Sequence, residues 1–383
     1  MTYRPLIAAA VAACSLSTAQ AGEVVIGLSG ALTGPVAGSY APAIDAMRIY
    51  FDRLNARGGV DGTTVKLILQ DDGGEASKGA ANAKKLIAQD KVDLLVNASL
   101  SSTYTPMIAE TRRAGIPLLF AASVCPEQTY PPAAENLFCT TAFATKYDSR
   151  ATLDFIEGRT SSDVKLGLVA MGIPVSRAEI DFAESIAPDH GMAVAAKEIV
   201  PPPTPDYAPF STNLKNAGAN WVYAWAPWVA EVKTLEALRR QGWDGDFVTW
   251  AHLEAEGEAA RLEDEKLFLI GANSFFSDGL PIHKEIEEAA KAAGSSYPAD
   301  KMVEGWVAGM AIEAAIKAAG ADPDAEDLMA AMSALEIDTK GLRGGPIKWT
   351  ESNHFRTEQY YRVYSWGDGG IDTVMDWKAY AVD

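Results

Sequence analysis

Short apolar runs rich in β-branched residues alternate, twice over, with longer stretches of helical period, and no other feature limits the fold so strongly. Val24–Ser29, Val65–Leu69, Val92–Val96 and Ile116–Ala121 read as strands, separated by helical stretches over 43–54, 76–89 and 102–114. The rhythm resumes with a helix at Lys146–Glu157 and strands at Val164–Ala170, Ala193–Val200, Trp221–Trp225 and Phe247–Trp250. Helices near Arg177–Ala187, Ala208–Ala217 and Val229–Gln241 lie between those strands. Parallel strands need such crossovers, so the expectation is an α/β fold with doubly wound parallel sheets. The rest of the chain reads as mostly helical, around Ile282–Ala293, Asp300–Ala319 and Ala325–Leu335, and ends in strand-like pieces at Tyr360–Trp366 and Thr373–Lys378. A chain of 383 residues exceeds what one core supports. With no flexible linker between the two rounds, two lobes sharing several crossovers are expected.

Lys and Arg total 33 against 51 Asp and Glu, a net charge of −18 that repels phosphate backbones and argues against nucleic acid as a partner. Residues 1–21 read as an export signal. Arg4 supplies a positive charge, 5–16 are mostly apolar, and Ala19-Gln20-Ala21 fits small-x-small cleavage. The alternative takes Val11-Ala12-Ala13-Cys14 as a lipobox, with the chain anchored through Cys14. Cleavage after Ala21 leaves Cys125 and Cys139, whose short spacing in an exported chain predicts a disulfide; two free thiols are the alternative.

Phosphate-loop, dinucleotide-binding, GxSxG and HExxH patterns are absent, and His190, His252, His283 and His354 show no metal-ligand spacing. Asp71-Asp72 reads as a solvated strand-to-turn boundary. The expectation is a binding protein rather than an enzyme, with no cofactor and no metal.

Ligands of open α/β sheets sit beyond the carboxyl ends of the strands. After 92–96 the chain runs Asn97-Ala98-Ser99-Leu100-Ser101-Ser102-Thr103 into a helix, where hydroxyls and N–H groups suit an anion, with Ser101 and Ser102 as candidates. Ala122 and Ser123, after the next strand, add backbone N–H groups. The second half offers rings instead. Trp221, Tyr223 and Trp225 share one strand face, so core packing accounts for some of them; Trp225, Trp228 and Trp250 are the pocket candidates. His252 is the titratable group behind Trp250, and Arg177, at a helix start, is a candidate to assist the anion or else a solvated arginine.

Four segments in order, GEVVIGLSGALTGPVAGSY (22–40), NARGGVDGTTVKLILQDD (55–72), SSTYTPMIAETRRAGIPLL (101–119) and NWVYAWAPWVAEVKTLEALRRQGWDGDFV (220–248), resemble the Leu/Ile/Val-binding family of periplasmic solute-binding proteins that serve ABC transporters. The resemblance implies a type I periplasmic-binding fold. Its two lobes, 22–142 plus 274–348 and 143–273 plus 349–383, would be joined by a hinge of three crossings. It also implies a periplasmic monomer that traps a small-molecule ligand by hinge closure and delivers it to ABC transporter permease subunits in the inner membrane.

Members that bind α-amino acids hold the carboxylate with groups matching Ser101, Ala122 and Ser123 or Val124, and Tyr40 joins the implied site. They hold the ammonium with an acid just after the strand corresponding to 247–250. Here Trp250-Ala251-His252 stands in that place, and Glu254 is displaced by a few residues. A buried ammonium without a counter-charge is strongly unfavourable. The expected ligand is therefore a carboxylate without an α-amino group, an aromatic acid among the candidates. A branched-chain amino acid remains the alternative if Glu254 turns inward, a quaternary amine caged by rings is another, and a receptor feeding a separate sensor is a second role.

Overall fold

A computed structural model describes residues 22–160, 163–202 and 204–382. The expected signal at 1–21, with Cys14, lies outside the described residues. The first sheet collects β1 (Glu23–Gly30), β2 (Thr64–Asp71), β3 (Leu94–Ala98), β4 (Leu118–Phe120) and β5 (Leu137–Cys139), all parallel, in the order β2-β1-β3-β4-β5. Crossovers α1 (Ala37–Ala56), α2 (Ala76–Ala88) and α3 (Tyr104–Ala114) join its first four strands. Every residue of β3 is buried, as expected of a central strand covered on both faces. Nothing in the sequence marks β5, whose three residues are too few to show a period.

The chain then leaves for a second sheet through α4 (Tyr147–Arg159). There β6 (Lys165–Met171), β7 (Ala193–Val200), β8 (Trp221–Trp225), β9 (Asp246–Trp250) and β10 (Leu267–Gly271) alternate with α5 (Pro174–Ile186), α6 (Ala208–Asn216), α7 (Trp228–Arg240) and α8 (Ala255–Leu262). It returns to the first lobe as α9 (Pro281–Ala292), α10 (Val303–Ala319), α11 (Ala325–Met332) and the small pair β11 (Glu336–Ile337) and β12 (Ile347–Lys348). A last passage ends in β13 (Glu358–Gly367) and β14 (Gly370–Ala381), giving the order β14-β13-β10-β9-β8-β6-β7. Asp368 and Gly369, between the paired Gly367 and Gly370, both take positive φ, as a tight two-residue hairpin turn requires.

The helices that return shape the first lobe. Gly305 of α10 lies so close to α1 that a Cβ there would fall 1.8 Å from the Ala43 carbonyl oxygen. Trp306 beside it is buried and meets the Tyr50 ring edge-on at 5.1 Å. Cys125 and Cys139 form the expected disulfide, with Cα atoms 5.8 Å apart, tying the loop after β4 to β5.

The reading of Asp71-Asp72 needs correction. Adjacent strand residues point opposite ways, and Asp72 is fully buried, accepting hydrogen bonds from Ser29 Oγ (2.8 Å), Ser99 Oγ (2.5 Å) and the Gly74 N–H (2.8 Å). Asp71 alone is exposed.

Candidate ligand-binding site

Because the strands within each lobe's central run are parallel, their carboxyl ends share one edge, and the edges of the two sheets face a common cavity of about 200 Å³. Tyr40, Ser101, Ala122 and Ser123 line it from the first lobe. Tyr40 is buried, and burial raises its pKa against an opposing hydrogen bond with Ser123, so its hydroxyl stays neutral. Of the hydroxyls strung along 99–103, Ser99 donates to Asp72 and Thr103 donates to the Leu100 carbonyl at 2.7 Å. Ser102 sits away from the cavity, donating to the Gly74 carbonyl at 3.1 Å. Residues 101–103 form a 3₁₀ turn, in which successive side chains point about 120° apart. Ser101 alone of this set reaches the cavity.

Rings make the opposite wall. Trp225, Trp228, Trp250 and His252 line it together with Phe143, which sequence reasoning missed. Phe143 stacks on Trp250 with ring centres 5.0 Å apart and meets Trp225 edge-on at 5.9 Å. Trp221, by contrast, is a core residue stacked on Phe268. The Trp225 ring is fixed from behind: its Nε1–H donates to Asp148 Oδ2 at 3.1 Å, and Asp148 also accepts from the Tyr361 hydroxyl (2.7 Å) and the Ala144 N–H (3.1 Å). Burial, then the nearby Glu179 carboxylate, pushes the Asp148 carboxyl well above its usual range.

Arg177 does not reach the cavity; it is exposed on the outer side of α5. One residue step turns a helix by about 100°, and Ser176 is the one that faces in, donating to the Trp225 carbonyl at 2.6 Å and accepting the Met171 N–H at 2.9 Å.

Two acids line the cavity. Glu304 is neutralised: Arg343 places Nη1 and Nη2 each 3.2 Å from its oxygens, while Asn273 Nδ2 (2.9 Å) and the Ala142 N–H (3.3 Å) complete its shell. Glu254 has no ion-pair partner among the described residues other than the electrostatic pull of His252 nearby. A third acid stands behind the wall. Glu231 of α7 is fully buried, 3.2 Å from His252 Nε2, and takes the Ala226 N–H at 2.9 Å. Its sequence signal was an acid on the stripe shared with Leu235 and Leu238, the buried face of the helix.

An outer chamber of about 590 Å³ opens alongside, sharing Ser101, Val124 and Val175 and lined further by Tyr130, Lys146 and Arg150. Away from both cavities, Asp154, Glu157 and His190 meet on the second lobe. The Lys378 ammonium stands 3.0 Å from Asp154, so the cluster reads as ion pairing.

His252 hydrogen-bonds the Ala226 carbonyl and pairs with Glu231, and among the described residues no hydroxyl hydrogen-bonds it as a nucleophile–base pair would require. What the site offers is a wall of aromatic rings facing Ser101, Ala122 and Ser123. The family model described as periplasmic binding protein matches residues 23–370. The chain belongs to the periplasmic binding protein family. This is a solute-binding, non-enzymatic fold.

Among relatives of this binding protein, a Leu/Ile/Val-binding protein homolog 7 of Brucella abortus is 23% identical, covering 96% of each chain. A branched-chain amino acid ABC transporter protein from Thermus thermophilus with bound valine superposes with a TM-score of 0.80 at 19% identity, over 94% of this chain and 97% of that one. A solute-binding protein of an ABC transporter from Rhodopseudomonas palustris, in complex with benzoate, gives 0.76 at 20% identity, over 94% and 98%. No helix among the described residues of this binding protein is long and apolar enough to cross a membrane.

Proposed function

We propose that this periplasmic binding protein captures a small carboxylate without an α-amino group, a flat aromatic acid being the best fit, and hands it to the permease of an ABC importer. The observation that carries the reading is the wall after β9. Trp250 and His252 stand there, and of the two acids lining the cavity Glu304 is already neutralised by Arg343. The rings supply a slot for a flat body, while Ser101 and the N–H groups near Ala122 and Ser123 supply the anion's partners. The benzoate complex of the Rhodopseudomonas palustris neighbour supports this chemistry on the same fold. In this reading the protein is exported with loss of 1–21 and acts as a monomer. The lobes 22–142 plus 274–348 and 143–273 plus 349–383 close on the ligand as units, ligand favouring the closed state by differential affinity.

Glu254, lining the cavity without an ion pair, favours a second reading, an α-amino acid whose ammonium it would meet; the Thermus thermophilus neighbour holds valine. Thermal-shift titration of protein unfolded and refolded to shed carried ligand decides between them. Ligand at about 100 times its Kd stabilises by roughly 2.7 kcal/mol, a shift of a few degrees. Benzoate is expected to shift the melt of the wild type and of Glu254→Gln alike, and valine neither. A valine shift that Glu254→Gln abolishes establishes the amino-acid reading.

A further inference from the structure

His252 Nε2 lies 3.0 Å from the Ala226 carbonyl oxygen and 3.2 Å from Glu231 Oε2. Both partners accept, so Nε2 carries a proton whether the ring is neutral or charged. No protein group takes Nδ1 among the described residues. That nitrogen is an acceptor when the ring is neutral and a donor only in the imidazolium. An anion gains a hydrogen bond from this ring solely in the charged state.

We propose that Glu231 and His252 make the cavity a proton-gated anion receptor, in which the imidazolium held by the buried carboxylate donates Nδ1–H to the ligand's carboxylate. The inference rests on the carboxylate reading above and adds its regulation. Glu231 acts through His252 and is a positioning residue, fully buried, with His252 as its one cationic partner among the described residues.

The surroundings agree. Burial opposes charge on both partners and pushes the Glu231 carboxyl up against the pull of His252, but on the ring the Glu231 carboxylate, Glu254 and the Ala226 carbonyl outweigh burial, and His252 titrates above its ordinary value. The other charged groups around the ring are Glu256 of α8, Asp300 before α10, and Glu304, which Arg343 neutralises. Among the described residues no lysine or arginine lines the cavity. The sign follows: anion affinity is full below the His252 pKa and falls by up to about tenfold for each pH unit above it. An ammonium, needing the neutral ring's acceptor, follows the opposite slope.

Two measurements on the mature protein test this. Imidazole proton resonances of ligand-free protein, with His252 assigned through His252→Gln, are followed over about pH 5.5 to 8.5. His252 is expected to titrate above about 6.5, and in Glu231→Gln its midpoint drops by about one unit or more. A midpoint unmoved by Glu231→Gln overturns the dyad. Calorimetry with benzoate, an anion throughout this range, is expected to show affinity flat at low pH and falling above the His252 midpoint, earlier in Glu231→Gln, and level in His252→Gln. Benzoate affinity independent of pH in the wild type overturns the gate while leaving the carboxylate reading intact. Absence of benzoate binding at every pH overturns both, and the ring titration then reports the pair alone.

Discussion

Ser101 alone of its hydroxyl neighbours lines the cavity, the others being engaged: Ser99 on Asp72, Ser102 on Gly74 and Thr103 on Leu100. A hydrogen bond to a charged group contributes about 1.5–3 kcal/mol, so Ser101→Ala is expected to weaken benzoate binding by roughly ten- to a hundredfold while the ligand-free melting temperature holds. Unchanged affinity by calorimetry places the anion elsewhere. Behind the opposite wall, three donors converge on Asp148, from Trp225, Tyr361 and Ala144. Asn at this place offers one oxygen where two accept, leaving a donor facing a donor. Asp148→Asn is expected to cost about 1–3 kcal/mol in urea unfolding and to shift tryptophan emission as the Trp225 ring is released. Ser101 was legible because a hydroxyl after a strand end is a local pattern. Asp148 was not, since its donors lie far apart in the sequence and only packing brings them together.

Among the elements, most helices announced themselves by period, while α8 and the strands β5 and β10 did not. β10 is five buried apolar residues, a run that periodicity alone cannot tell from a buried helical turn. The joint between α1 and α10 is likewise invisible along the chain, because Gly305 sits in a helical pattern and its reason lies in Ala43. The atom a Cβ would strike is a backbone oxygen, which has no rotamer to escape into. Gly305→Ala is expected to lower stability by about 1–3 kcal/mol or more. Gly158, on α4 with nothing within 4 Å of its would-be Cβ, is the control: Gly158→Ala should raise stability by roughly 0.5–1 kcal/mol. Equal effects in thermal unfolding contradict the close approach.

At the scale of the molecule, the three passages between lobes are tied by a buried polar cluster. Arg343 donates to the Thr140 carbonyl at 2.9 Å and pairs with Glu304, and Arg356 and Gln359 donate to Thr141 and Ala142. Breaking a buried pair from one side costs about 3–5 kcal/mol, because a charge is left uncompensated. Arg343→Met is therefore expected to lose that much near neutral pH. Adding Glu304→Gln should restore part of the loss. Additive losses in a double-mutant cycle of chemical unfolding would show the pair uncoupled.

The sequence by itself determined the α/β rhythm, the family and which loops follow the strand ends, since each of these is written in residues close together along the chain. It also placed Tyr40, Ser101, Ala122, Ser123, Trp225, Trp228, Trp250 and His252, all of which line the cavity. The tertiary structure decided which of them remain available. A step of one residue turned Ser102 and Arg177 outward, and burial put Asp72, Asp148 and Glu231 behind the walls. The reason is physical: a buried polar group must find partners, and whether it finds them in its neighbours or in a ligand is settled by distant segments brought together only on folding.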